Sequence, residues 1–166
     1  MVKNKKSNIP DTGIFNENIF FTKTPQETRN LGKKFASLLK SGDIVFLKGD
    51  LGSGKTTFVQ GVVKSFCNKD FARSSSFTLV NEYDTIKLKL FHIDLYRLNP
   101  SVVWDVGIEE YLYSKNISIV EWSDRLRGAE NDNNWDIEIK NIDSKRKIKI
   151  ENKNENFSYR NLWRNI

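Results

Sequence analysis

The chain has 166 residues, of which 38% are hydrophobic and 29% charged, as is typical of one globular domain with a single core. Its one cysteine excludes an intrachain disulfide, and one cysteine with one histidine excludes a zinc site built from those residues. The net charge of +6 comes from scattered lysines without a basic run of interleaved aromatics, so charge alone does not indicate nucleic-acid binding.

No apolar stretch is long enough to cross a bilayer or to follow the basic N-terminus as in a signal peptide. We therefore expect a soluble, cytoplasmic protein that contacts no membrane. Residues 1–13 are expected to form a flexible tail, 14–155 the folded domain and 156–166 a C-terminal extension. The first predicted element is a short strand at 18–22.

A helix with a recognisable start follows. Thr24 can cap it, Pro25 fits the first helical position, and Glu27 completes a capping box. Gly42 is expected to end this element. The apolar residues that recur at helical spacing before it are Leu31, Phe35, Leu38 and Leu39.

The next segment has the pattern of a strand, a glycine-rich loop and a helix. The apolar run at 44–47 lies between Gly42 and Gly49, which is typical of a strand buried on both faces. A helix is predicted from about 55 to 67. Its inward face is expected to be formed by Phe58, Val62, Val63, Phe66 and Cys67.

The remainder of the chain is predicted to contain five strands and one helix. The strands are expected at 77–83, 87–94, 117–122, 135–139 and 145–150, and the helix at 101–113. The last two strands alternate as an antiparallel pair does. These elements predict a three-layer α/β domain with a mixed central sheet and antiparallel strands toward the C-terminus.

The strongest functional signal is Gly49–Thr56, G-D-L-G-S-G-K-T, which matches G-x-x-x-x-G-K-[ST] between a buried strand and a helix. Glycines let the backbone wrap a phosphate, and the loop N–H groups and the helix N-terminus point at the anion. Lys55 places a positive charge on the β- and γ-phosphates, and the Thr56 hydroxyl is a hard oxygen ligand for Mg²⁺. This P-loop motif predicts an ATP·Mg²⁺ site and, with the elements around it, the P-loop NTPase fold.

A P-loop site also needs a carboxylate near the metal, at the end of a neighbouring buried strand. Glu121 ends the apolar run that begins at Ile117, and Asp94 ends the preceding predicted strand. Each is alternatively a solvated acid at a strand end. The strand that Glu121 ends looks fully buried, which favours Glu121 as the metal ligand, and we expect Asp94 to position water or to support the metal ligands.

Five segments in order resemble the TsaE family of small bacterial P-loop ATPases. They are Gly49–Thr57, similar to G-D-L-G-x-G-K-T-T; Ser74–Tyr83, to S-P-T-[FY]-T-L-V-x-x-Y; His92–Leu98, to H-x-D-L-Y-R-L; Asp105–Leu112, to a short acidic helix; and Val120–Trp122, to [IV]-E-W. The ordered set spans about 24–147 and is specific, whereas the P-loop alone is generic. The chain departs from the family at Ser75 and Ser76, where proline and threonine are usual, and this leaves open the role of that switch-like loop.

The resemblance implies a sheet with the P-loop at its centre and Mg²⁺ held by Thr56 and Glu121. It implies nucleotide contacts in the loop, at Asp50, Leu51, Gly52, Ser53, Gly54, Lys55, Thr56 and Thr57. Outside the loop it implies contacts from Thr24, Trp122 and, near the base, Lys145 or Arg146. It also implies that His92, Tyr96 and Arg97 lie on the same side of the sheet. From the residues alone, Thr24 is equally a helix cap, Trp122 a core aromatic and Arg97 a surface cation.

The resemblance further implies an ATP-hydrolysing subunit needed for N6-threonylcarbamoyladenosine at position 37 of tRNA. Its partners would be TsaB-like and TsaD-like proteins, with tRNA contacted indirectly. Lys55, Asp94 and Glu121 are the expected catalytic residues, and Asp94 or a hydroxyl of Ser74–Ser76 is expected to orient the attacking water. Hydrolysis by the isolated protein should be slow, because no arginine finger is evident in the chain.

Two alternative functions remain open. One is a P-loop small-molecule kinase, which would need an acceptor pocket and an arginine-rich lid; after the P-loop helix only Arg73 stands in the expected place. The other is a nucleotide-gated binding module whose hydrolysis is incidental.

Overall fold

The structure, a computed structural model, describes residues 18–67, 78–129 and 134–153. All three ranges fall within the predicted domain at 14–155. The predicted tail at 1–13, the extension at 156–166 and the segment from Arg73 to Ser76 lie outside the described residues, so the expectations for them stay predictions.

The described strands form one seven-stranded mixed sheet in the order β1-β7-β6-β2-β5-β4-β3. Their bounds are Ile19–Thr22 (β1), Ile44–Lys48 (β2), Val80–Asp84 (β3), Lys89–Asp94 (β4), Ile117–Glu121 (β5), Asn134–Ile142 (β6) and Lys145–Asn152 (β7). Strand β2 is central and parallel to β5 and β6, and β4 is parallel to β5. The pairs β3–β4, β6–β7 and β1–β7 are antiparallel. The predicted mixed sheet, with the P-loop strand at its centre, is confirmed.

Both faces of the sheet are covered, because successive side chains of a strand point to opposite faces. Val45 and Leu47 of β2 belong to a core shared with helices α1 (Pro25–Phe35) and α2 (Lys55–Cys67). The neighbouring side chains Ile44 and Phe46 belong to a second core on the opposite face. The three-layer prediction is confirmed, and the continuous apolar run of β2 is explained by burial on both sides.

Helix α1 begins as predicted but ends earlier. The Glu27 N–H donates to the Thr24 hydroxyl at 3.1 Å, while the Glu27 carboxylate accepts from the Lys23 N–H at 2.7 Å. The α-helix stops at Phe35 and tightens into a 3₁₀ turn over Ala36–Leu38. The prediction of one helix running through to Gly42 is therefore wrong in its last turns. A local reason is that the Asp43 carboxylate accepts the Lys40 N–H at 2.8 Å and turns the chain into β2.

The helix predicted at 101–113 is wrong as a single element. The segment consists of two 3₁₀ turns, Pro100–Val102 and Trp104–Val106, and a one-turn helix α3, Glu109–Leu112. The break falls at Gly107, whose φ of +72° is left-handed and ends a helical turn. The apolar residues are nevertheless placed correctly, because the second core contains Val103, Ile108 and Leu112.

Strand ends differ by a few residues from the predicted ones. Strand β5 stops at Glu121 because Trp122 has a left-handed φ of 59°. Strands β6 and β7 are longer than predicted, since each pairs along its length with the other and over part of its length with a further strand.

Cys67 is half-buried and packs against the first core, as expected for a small core residue. Among the helices that the structure describes, none is long and apolar enough to cross a membrane.

Candidate functional site

A cavity of about 600 Å³ opens at the carboxyl ends of the parallel strands β2, β4 and β5. Ligands of open α/β sheets bind at this edge, where the loops after the strands converge. The lining residues are Leu51, Gly52, Gly54, Lys55, Thr56, Thr57, Thr78, Leu79, Asp94, Tyr96, Arg97, Leu98, Glu121, Trp122 and Arg146. The structure thus brings together most of the residues that the sequence predicts for the site.

The P-loop is pressed against strand β6. A Cβ atom at Gly49 would lie 2.3 Å from the Ile139 carbonyl oxygen and 2.8 Å from the Ser53 hydroxyl. Because real Cβ atoms do not approach backbone oxygens so closely, only glycine lets the loop leave β2 in this direction. Strand β6 therefore fixes where the glycine-rich loop begins, a contribution that no local sequence pattern indicates.

The Lys55 ammonium is enclosed by the loop and an aromatic ring. Its Nζ donates to the carbonyl oxygens of Gly49 at 2.7 Å and Asp50 at 2.9 Å, and lies 3.9 Å from the centre of the Trp122 ring. Burial lowers the pKa of Lys55, while the nearby carboxylates of Glu121 and Asp94 oppose that shift. Two carbonyl oxygens and the Trp122 ring thus fix the position of this ammonium at the cavity.

Behind the loop, three side chains form a hydrogen-bonded row. The Thr56 hydroxyl donates to Glu121 Oε2 at 3.0 Å, and Glu121 Oε1 lies 2.8 Å from His92 Nε2. Glu121 is 2% exposed and His92 is fully buried. The predicted placement of His92 is thus refined, since its ring lies beneath the cavity and contacts the acid instead of lining the open space.

The Thr56 and Glu121 oxygens suit Mg²⁺ chemically, because both are hard oxygen donors and they lie side by side. Among the described residues there is no group of three or more His, Cys, Asp or Glu side chains that could hold a metal unaided. A magnesium ion here would have to complete its coordination with phosphate oxygens and water, which is how Mg²⁺ is commonly held in nucleotide sites.

Asp94 lies directly across from Glu121 on the parallel pair β4–β5. It is half-buried, lines the cavity, and its Oδ1 accepts the Tyr96 N–H at 3.0 Å. This position, beside the metal-ligand candidates and open to the cavity, is compatible with the predicted role in orienting water.

The family of the chain is decided by comparison with known proteins. The family model described as "Threonylcarbamoyl adenosine biosynthesis protein TsaE" matches residues 22–148. The chain belongs to the TsaE family. That family acts in the biosynthesis of threonylcarbamoyladenosine in tRNA.

Individual TsaE proteins agree with this assignment over most of their lengths. The TsaE of Aquifex aeolicus is 41% identical over 128 residues, which is 75% of this chain and 89% of that protein. The TsaE of Rickettsia prowazekii is 36% identical over 125 residues, covering 74% and 86% respectively. The crystal structure of Bacillus subtilis YdiB superposes with a TM-score of 0.69 at 30% identity, covering 89% of this chain and 91% of that one.

Three of the residues expected to contact nucleotide in this TsaE chain lie outside the cavity lining. Thr24 is exposed and caps α1, Ser53 is fully buried, and Asp50 contributes its carbonyl oxygen to Lys55. Arg146 lines the cavity and donates from Nε to the Ser53 carbonyl at 3.1 Å, whereas the alternative Lys145 does not line it. Arg97 also lines the cavity, so both arginines that the resemblance places at the site face this space.

One residue behind the cavity wall, Arg125, was not predicted from the sequence. The rings of Tyr96 and Trp122 pack with centroids 4.9 Å apart, and the Arg125 guanidinium lies 5.6 Å from both ring centres. Arg125 also donates to the carbonyl oxygens of Leu95, Tyr96 and Leu98, which holds the loop after β4 in place. Its position three residues after Trp122 carries no sequence signal, since only the tertiary fold brings that loop within reach.

Proposed function

We propose that this protein binds and hydrolyses ATP as the Mg²⁺-dependent ATPase subunit of tRNA threonylcarbamoyladenosine synthesis. It would act with TsaB-like and TsaD-like proteins at adenosine 37, without a direct tRNA contact of its own. The observation that carries the proposal is the meeting of the P-loop, Lys55 and the Thr56–Glu121 pair in one cavity at the carboxyl edge of the sheet.

The cavity suits a nucleoside triphosphate in its hydrogen-bond donors and in its charge. The turn from Gly49 to Thr56 and the start of α2 offer backbone N–H groups, and Lys55, Arg97 and Arg146 bring positive charge. The acidic groups, Asp94 and Glu121, stand together at the metal end. A phosphate chain extending from the loop toward these acids has donors along its length and a place for a divalent ion at its end.

The residues of the chain have separate tasks in hydrolysis. Lys55 stabilises the charge that develops on the transferred phosphoryl group. Thr56 and Glu121 would hold the ion, which would neutralise charge on the phosphates when bound. Asp94 orients the attacking water from the neighbouring strand end. The Tyr96–Trp122 wall limits access of bulk water to Lys55.

Steady-state ATPase assays on purified variants test the first part. Lys55→Ala should reduce Mg²⁺-dependent hydrolysis at least about 100-fold, because it removes a cation aimed at the reacting phosphoryl group. Glu121→Gln should reduce it as well, since the carboxylate charge is lost. The matched control is Lys64→Ala, which removes an exposed lysine further along the same helix and should leave the rate unchanged. Full activity in Lys55→Ala would contradict the proposal.

Reconstitution with TsaB-like and TsaD-like proteins tests the second part. We expect those proteins to stimulate ATP hydrolysis, and repeated threonylcarbamoyl transfer to tRNA to require the wild-type chain but not to proceed with Lys55→Ala. Transfer of the γ-phosphoryl group to a nucleoside or another small acceptor, in place of water, would instead favour the kinase alternative. Transfer to tRNA supported equally by a variant that binds but does not hydrolyse ATP would favour the binding-module alternative.

A further inference from the structure

We infer that His92 is the positioning residue for Glu121: its Nε2–H holds one carboxylate oxygen so that the other is presented to Thr56 and the magnesium ion. This inference rests on the proposed function, since it concerns the same metal site. It assigns a task to the one histidine of the chain, which the proposed chemistry does not otherwise use.

The register of the sheet explains why these two side chains meet. In the parallel pair β4–β5, His92 is opposite Ile119 and Asp94 is opposite Glu121. His92 and Asp94 point to one face of their strand, as do Ile119 and Glu121 of theirs. Glu121 therefore has Asp94 directly beside it and His92 diagonally behind it on the same face.

The hydrogen bond is buried and directional. Glu121 Oε1 lies 2.8 Å from His92 Nε2, with His92 fully buried and Glu121 2% exposed. A carboxylate can only accept, so Nε2 carries the proton. Nδ1 has no hydrogen-bond partner within the described residues. When the neutral ring carries its proton on Nε2, Nδ1 is left as an unpaired acceptor and not as an unpaired donor. The site thus keeps a buried histidine whose only described polar contact is with the metal-ligand candidate.

The carboxylate of Glu121 needs such a restraint. Neighbouring strands lie about 4.8 Å apart, so Asp94 brings a like charge close to Glu121 from the side. Without the His92 donor, the hydrogen bond from Thr56 would be the one remaining described side-chain contact that orients the Glu121 carboxylate. Hydrogen bonds from a second side chain commonly orient metal-binding carboxylates in this way, and losing one typically weakens metal affinity about 10- to 100-fold.

The positioning role of His92 can be distinguished from core packing by how strongly Mg²⁺ tightens ATP binding. The measured quantity is the ratio of the ATP dissociation constant in EDTA to that in excess Mg²⁺, obtained by equilibrium dialysis with labelled ATP. A side chain that only fills the core changes both dissociation constants by the same factor and leaves their ratio unchanged. A side chain that positions a metal ligand changes the ratio.

Three substitutions at His92 separate the donor from the ring. His92→Gln places an amide N–H near the Nε2 position, His92→Asn places one near the Nδ1 position and out of reach of Glu121, and His92→Leu removes the donor. We expect Leu and Asn to lower the ratio at least about tenfold with little change in EDTA, and Gln to keep it within about threefold of wild type. The matched control is Ile119→Val, which perturbs the opposite buried position without touching the hydrogen bond.

The outcomes are distinct. A ratio that stays unchanged in both His92→Leu and His92→Asn would overturn the inference, whether ATP affinity is kept or is weakened equally with and without Mg²⁺. The two amide variants decide the matter even if the leucine variant does not fold. Wild-type protein that fails to bind ATP at all would overturn the proposed function itself, and this inference with it.

Discussion

Alanine substitutions at the two glycines that flank strand β2 test whether the P-loop is held in place by β6. Both Gly42 and Gly49 have positive φ, of +85° and +145°, so both substitutions strain the backbone. They differ in their surroundings. A Cβ at Gly42 would meet no atom within 4 Å, whereas one at Gly49 would meet the Ile139 oxygen at 2.3 Å and the Ser53 hydroxyl at 2.8 Å.

The magnitudes follow from that difference. Gly42→Ala should cost about 1 kcal/mol of unfolding free energy, the ordinary price of a left-handed conformation for a residue with a Cβ. Gly49→Ala should cost about 4 kcal/mol of unfolding free energy in total. Backbone strain accounts for about 1–3 kcal/mol, and forcing an atom into packed backbone accounts for about another 1–3 kcal/mol. The loop can relieve the clash only by moving away from β6, which displaces the N–H groups that we propose bind the phosphates.

Urea unfolding followed by tryptophan fluorescence measures the stability change, and equilibrium dialysis with ATP measures binding. We expect Gly49→Ala to lose several-fold more stability than Gly42→Ala and to lose ATP binding, while Gly42→Ala, at the opposite end of β2, keeps it. If the two variants had unfolding free energies within about 0.5 kcal/mol of each other and bound ATP alike, the contact between the loop and β6 would not matter as argued.

Two further predictions concern stability. Thr24→Ala removes the acceptor of the Glu27 N–H at the start of α1 and should cost about 1 kcal/mol, which thermal unfolding measures and which Thr24→Ser should restore. Burial raises the pKa of the Asp43 carboxyl above its ordinary value of 3.8, so the folded state holds the carboxyl proton more tightly than the unfolded chain does. The protein therefore loses unfolding free energy as the pH rises from about 3.8 through the folded-state pKa. Asp43→Asn has no carboxyl to titrate, so the unfolding free energy of wild type should fall relative to that of the variant as the pH rises through that window. A difference between the two proteins that does not change with pH would contradict the argument.

Local sequence patterns sufficed for features that depend on near neighbours. The P-loop, the cap at Thr24, the apolar strand β2 with both faces buried and the acid at the end of β5 were all predictable, because spacing of two, three or four residues determines which groups meet. The helix predicted at 101–113 failed because its apolar residues are placed by burial against the sheet, while Gly107 breaks the backbone between them. Periodicity alone does not distinguish a broken segment from a continuous helix.

The amino-acid sequence by itself predicted the class of site, since a glycine-rich turn followed by lysine and threonine has few other uses between a buried strand and a helix. Only the tertiary structure decided how the site is built. The register of β4 against β5 puts His92 behind Glu121, β6 presses on Gly49, and Arg125 reaches back to the loop after β4. These contacts join residues 27 to 90 positions apart in the chain, and such pairs are chosen by the packing of the whole sheet, not by any local pattern.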